Sequence, residues 1–234
     1  GHRGINCLIV ERGMEGFIVG AKEDKMGIRT VPVVETRFDN VRVPKANLIG
    51  GRPGLGFKNA METLDYARPG VAAQAVGAAQ GALDYALAYA ARRRQFGKSI
   101  NSFQMVQQML ADMAMKTEAA RCLVHSVASM VDNGRAAEAG KKAAMAKCFA
   151  TDVAMEVATD AVQVFGGYGF MEDYPIAKCF RDAKILQIYE GTNQVQRLVI
   201  ARNLIKEAEA LAHLDEYIPR EEQENFQTDE VVAG

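Results

Sequence analysis

The 234-residue chain has no tryptophan and only six prolines. With so few prolines and so much alanine and methionine, long, closely packed helices are favoured over a sandwich of short strands. Cysteine is also scarce: Cys7, Cys122, Cys148 and Cys179 lie far apart, with no CxxC pair. That spacing argues against a zinc site or a disulfide framework, so the four read as buried thiols in a reducing compartment. A formal charge of -1 leaves no broad basic face to neutralise phosphates, which argues against a nucleic-acid partner. No apolar run reaches the ~18–20 residues that cross a bilayer, so a soluble protein is expected. Position 1 is Gly, and any targeting peptide would lie upstream.

Residues 1–50 carry short apolar and β-branched runs, "INCLIV" and "TVPVVETRFDNVRVP", punctuated by Asp39-Asn40 and closed by Pro44. Three or so strands of this length make an incomplete sheet whose open edge needs a partner. After the turn-rich "GGRPGLG" the pattern becomes helical. A first helix is predicted from about Phe57 to Arg94, with Pro69 as a kink or local break and a middle of small residues suited to a central position. A second, about 102–132, repeats Phe103, Val106, Leu110, Met113, Thr117, Ala120, Val124, Val127 and Val131 in steps of three and four. A third spans about 135–164, a short one follows Pro175, and a last long one runs from about Thr192 to Leu211. Long antiparallel helices joined by short turns make a four-helix bundle over 54–211. The acidic stretch 212–234 reads as a solvated, mobile tail.

Four local patterns could carry chemistry: "DYARPG" at 65–70, "RRRQFGK" at 92–98, "QVFGGYGF" at 163–170 and "YEGTNQ" at 189–194. Each also has a plain structural reading. "RRRQFGK" can be basic charge at the negative end of a helix dipole followed by a glycine stop. "QVFGGYGF" can be a C-cap and a turn. Glu190 can be a carboxylate near a helix N-terminus, worth about 0.3–1 kcal/mol.

Taken together, in this order and spacing, the patterns resemble the C-terminal part of the acyl-CoA dehydrogenase family of flavoenzymes, of the short- and medium-chain type. The resemblance runs from "RFDNVRVPKANLIG" through "QRLVIARNLI", about residues 37–205. It implies a mainly α chain: a C-terminal four-helix bundle preceded by the end of the middle β domain, with the family's N-terminal helical domain and early β domain absent. It also implies a homotetramer, in the cytoplasm of a bacterium or the mitochondrial matrix of a eukaryote.

The reaction implied removes a proton from Cα and a hydride from Cβ of an acyl-CoA thioester, giving the trans-2-enoyl product. A carboxylate in water is too weak a base for the first step, but burial beside an acyl chain strengthens it, and hydrogen bonds to the thioester oxygen stabilise the developing enolate. By resemblance Glu190 is that base, its backbone N–H helps hold the thioester carbonyl, and FAD accepts the hydride. Arg93 matches the arginine that contacts the FAD diphosphate, with Gln95 and Phe96 as neighbours reaching the cofactor of an adjacent subunit. Gln163, Gly166 and Gly167 match the segment that meets the adenosine part, and Thr192 and Gln194 look like flavin contacts. Tyr189 and Gly191 shape the turn and let backbone approach flavin and substrate. Asp65 and Arg68 look like contacts to CoA, although Arg68 could instead pair with Asp65 beside Pro69. Electrons would leave through an electron-transferring flavoprotein. The enoyl-CoA reductase direction, an acyl-CoA oxidase, and a non-catalytic assembly module or half of a split enzyme are the alternatives.

Overall fold

The computed structural model describes residues 1–135, 138–208 and 210–211. The expected acidic tail, 212–234, lies outside them. Five α-helices dominate the described residues: α1 Gly56–Arg92, α2 Gln104–Asp132, α3 Ala139–Phe165, α4 Pro175–Leu186 and α5 Asn193–Ala208.

Pro69 lies inside α1 without breaking it. The Arg68–Asp65 ion pair brackets the turn where the proline nitrogen cannot donate. Beyond it α1 presents a stripe of alanines, Ala72, Ala75, Ala79, Ala82, Ala86 and Ala90, all fully buried. Alanines on the facing side of α3, among them Ala146, Ala150 and Ala154, are equally buried. Side chains this small let the two backbones approach closely, and dispersion contacts accumulate along the whole interface.

α1 is a packed helix, as its small residues suggest, against α2, α3 and α4, and it shares the centre of the bundle with α3. α3 packs against α1, α2, α4 and α5 in turn. The physical reason is that its buried positions extend around the helix, through Ala143, Ala144, Lys147, Thr151, Val153 and Val157, whereas α1 keeps an exposed face. Periodicity located α2 well: Met113, Thr117, Ala120, Val124 and Val127 are buried. At its end Met130 takes the buried place and Val131 is only partly covered.

The first fifty residues form less sheet than expected. β1 Phe17–Lys22 pairs antiparallel with β2 Val34–Phe38, with the Phe17 and Phe38 rings stacked 5.1 Å apart. "INCLIV" contributes only an isolated bridge from Leu8 to Leu48, because a ladder needs a continuous partner and this run meets just one. Ile18, Val19 and Phe38 remain exposed on the pair. This segment is latched to the bundle through α4: the Ile28 N–H donates to Asp182 Oδ1 at 2.6 Å, and Arg181 Nε donates to the Met26 carbonyl at 3.1 Å. Gly27 is required there, since a Cβ on it would lie 2.4 Å from the Arg181 carbonyl oxygen.

"RRRQFGK" does begin at a helix end, with basic Arg92 in the last turn, but its glycine is not the stop. α1 finishes at Arg92, and β3 Arg94–Gln95 pairs with β4 Lys98–Ser99. The connecting Phe96 and Gly97 both have positive φ, +51° and +79°, as a two-residue hairpin turn demands. The thiols also differ from expectation: all four are free, but Cys122 is exposed and only Cys148 is fully buried.

Candidate active site

Most of the proposed site residues fall into two separate regions, with Asp65 and Arg68 apart from both on α1. In the first, the C-terminal end of α1 and the end of α3 enclose a cavity of about 480 Å³, lined by Arg93, Gln95, Gly166, Gly167, Tyr168 and apolar neighbours including Tyr89 and Phe165. Its wall is fixed by aromatic packing: Tyr89 stacks on Phe165 at 4.1 Å, and Tyr174 meets both rings edge-on. Arg93, half-buried, holds its guanidinium 5.3 Å from the centre of the Tyr168 ring. Gly166 ends α3 with φ +61°, a conformation that favours glycine. Cβ atoms on Gly166 and Gly167 would meet nothing within 4 Å, so this stretch of backbone is open to an approaching group. Gln163 is exposed on the last turn of α3 and outside the cavity lining, while the Phe96 ring stands 92% exposed at the hairpin tip.

The second region is the turn joining α4 to α5, which carries Tyr189, Glu190, Gly191 and Thr192, with Gln194 just inside α5. Glu190 and Gly191 both have positive φ, +56° and +85°. A left-handed glutamate followed by a left-handed glycine reverses the chain within two residues, and a non-glycine residue held there costs about 1–3 kcal/mol. Among the described residues, no hydrogen bond uses the Glu190 N–H. Thr192 caps α5, its hydroxyl accepting from the Val195 N–H at 3.3 Å. The Tyr189 hydroxyl donates to Gln74 Oε1 of α1 at 2.6 Å, and burial pushes its phenol above the ordinary range. Gln194 is exposed on the first turn of α5.

A polar network from α3 holds this turn from beneath. Lys147, fully buried, donates to the Gly191 carbonyl and to Asn193 Oδ1, both at 2.9 Å. Asn193 Nδ2 in turn donates to Thr151 Oγ1 at 2.8 Å and to Asp152 Oδ1 at 2.7 Å. Asp152 also accepts from Gln187 and Arg197. Burial alone would raise the Asp152 carboxyl, but the hydrogen bonds from Arg197, Gln187 and Asn193 outweigh it and hold the group below the usual carboxylate range. From α5, Gln196 Nε2 donates to the Glu190 and Gly191 carbonyls at 3.2 and 3.0 Å.

Asp65 and Arg68 lie on α1 and pair with each other, Asp65 exposed and Arg68 buried with its Nε unpartnered among the described residues. Sequence reasoning did not single out Lys147, Asp152, Asn193 or Gln196. For Lys147 a signal existed: it interrupts the buried stripe of α3, between Ala143 and Ala150, where every neighbour in step is small or apolar.

The family model for the acyl-CoA dehydrogenase C-terminal domain matches residues 54–205. The chain belongs to the acyl-CoA dehydrogenase family. It is 55% identical over 206 residues to a Mycobacterium tuberculosis protein named probable acyl-CoA dehydrogenase FadE25, covering 88% of this chain and 52% of that protein. The solved structure of butyryl-CoA dehydrogenase from Megasphaera elsdenii superposes with a TM-score of 0.84 at 51% identity, covering 88% of this chain and 53% of that one. A chain from a structure described as the electron transferring flavoprotein of Acidaminococcus fermentans, concerned with flavin-based electron bifurcation, also reaches 0.84, at 56% identity, covering 87% of this chain and 53% of that one. The chain therefore spans about half the length of the relatives it matches. Among the described residues, no helix is long and apolar enough to cross a membrane.

Proposed function

We propose that this chain supplies the catalytic base and part of the cofactor site of an FAD-dependent acyl-CoA dehydrogenase that converts a saturated acyl-CoA thioester to its trans-2-enoyl product. The observation that carries the reading is the Glu190 turn. A carboxylate sits on a reversed, left-handed backbone clasped from α3 and α5, and among the described residues its own N–H has no acceptor. Glu190 takes the α-proton onto its carboxylate. The free N–H donates to the thioester carbonyl oxygen, where negative charge accumulates as the proton leaves. Tyr189 and Gly191 set the turn against the substrate, and Asp65 and Arg68 lie on α1 as candidate contacts to the CoA portion.

The residues of the first region fit part of FAD. A half-buried guanidinium, two glycines open to close approach and an aromatic wall suit a diphosphate and an adenine. Arg93, Gln95, Gly166 and Gly167 would hold it there, with Phe96 and Gln163 on the rim; Thr192 and Gln194 belong with the Glu190 turn. FAD bound to the enzyme supplies the acceptor for the β-hydride. The cavity and the Glu190 turn share no lining residue, which accords with a tetramer in which the first region serves a neighbouring subunit's cofactor. Apolar side chains exposed on α5, among them Leu198 and Ile205, accord with further assembly. The likeness to a chain from an electron-transferring flavoprotein structure supports such a protein as the electron acceptor.

The test is Glu190→Gln in the flavin-loaded enzyme. The variant is expected to retain flavin while acyl-CoA no longer bleaches its visible absorption under anaerobic conditions. Bleaching at the wild-type rate would remove Glu190 from the role.

A further inference from the structure

Lys147 is a lysine where the fold has no packing need for one. It is fully buried on the inner face of α3, and among the described residues its ammonium meets no carboxylate within ion-pair distance. A buried cation without a paired anion is unfavourable unless dipoles replace its lost hydration. Methionine, unbranched and of similar length, would occupy the same volume without that cost, as Met113 does on α2. The dipoles that receive the ammonium belong to the turn: the Gly191 carbonyl and Asn193 Oδ1, 44 and 46 residues away in sequence.

We propose that Lys147 is a positioning residue for the base: its ammonium grips the Gly191 carbonyl and, by doing so, fixes the left-handed Glu190–Gly191 pair and the direction of the Glu190 carboxylate. The inference rests on the proposed role of Glu190. The geometry makes the link short. The Gly191 carbonyl belongs to the second of two consecutive positive-φ residues, so a grip on it restrains the pair whose first member carries the Glu190 carboxylate. Gln196 grips that oxygen and the Glu190 oxygen from α5, and Asn193 ties Lys147 to Thr151 and Asp152. The turn is therefore held from α3 and α5 in addition to its own closing bond, from the Asn193 N–H to the Gln187 carbonyl at 3.0 Å. The charged and titratable groups around the ammonium are Asp152 and Cys148 on α3, Arg68 from α1 and Glu190 itself. Burial is the largest influence on the lysine and lowers it below its ordinary range; Arg68 acts in the same direction, while Cys148, Asp152 and Glu190 oppose.

The experiment compares wild type, Lys147→Met and Glu190→Gln as flavin-loaded enzyme. Steady-state kinetics are measured with an acyl-CoA. Binding of an analogue with sulfur at the β position is also followed; such a thioester can lose its α-proton but cannot give up a β-hydride, so a new long-wavelength flavin band reports proton removal alone. For Lys147→Met the flavin content and the KM should stay near wild type, while kcat falls on the order of ten- to a hundredfold and the long-wavelength band is weakened or lost. Wild-type kcat and band would overturn the inference, as would a fall in kcat matched by loss of flavin and a parallel rise in KM, the pattern of general destabilisation. If Lys147→Met does not fold, Lys147→Gln makes the same comparison, since its donor ends one bond short of the Gly191 carbonyl. Failure of the functional reading itself looks different: Glu190→Gln would then still turn over and still produce the band.

Discussion

Gly191→Ala is the substitution whose cost can be worked out most fully from the geometry. Gly191 has φ +85°, where an added Cβ meets its own carbonyl and costs about 1–2 kcal/mol. That Cβ would also lie 2.5 Å from Gln196 Nε2, so the amide must move. Gln196 is fully buried, its Oε1 already lacks a partner among the described residues, and its Nε2 serves the Glu190 and Gly191 carbonyls. Displacing it leaves polar atoms unsatisfied in the interior, a further ~1–3 kcal/mol. The sum is about 2–5 kcal/mol. For a cooperative unit of this size each kcal/mol lowers Tm by about 2–4 °C, so the midpoint of thermal unfolding followed by circular dichroism should fall by roughly 4–20 °C. A drop of less than about 2 °C would mean that neither the left-handed backbone nor the Gln196 clasp has the importance assigned to it.

Two other outcomes follow from the same geometry. Asp152 is held below its usual range, so its stabilising contribution is fully present above the unfolded value of about 3.9 and is lost as pH falls through the lower folded value. Denaturant midpoints measured across acid pH should therefore drop less steeply for Asp152→Asn than for wild type, and identical slopes would discount the network around it. Arg93→Ala removes the cation of the first region, and flavin retention on gel filtration should weaken while the helical far-UV spectrum is unchanged.

Short-range pattern made the helices legible. Steps of three and four located α2, and small residues announced the close contact that α1 makes with α3. Short-range pattern could not show that α3 shares the centre with α1, because that depends on how many neighbours a helix meets. The β3–β4 hairpin escaped for a similar reason. Strands of two residues carry no alternation, and a basic run after a helix reads as a cap, yet Phe96-Gly97 can be seen afterwards as the turn. "INCLIV" has strand composition, but whether it pairs depends on a partner some forty residues on, and only Leu48 provides one. At the site, Glu190 and its turn were visible as residue types in a recognisable order. The clasp beneath it was not, since Lys147 and Asn193 are far apart in sequence and meet only because α3 and α5 pack together.

Hydrogen exchange at the substrate's α-carbon is the step that belongs to Glu190 alone. Flavin-loaded enzyme is incubated in deuterium oxide with the β-thia acyl-CoA analogue, and deuterium at Cα is read by mass spectrometry. If Glu190 is the base, wild type incorporates deuterium and Glu190→Gln does not, although both bind the analogue. Undiminished exchange in Glu190→Gln would mean that another group removes the proton, and the turn between α4 and α5 would need a different explanation.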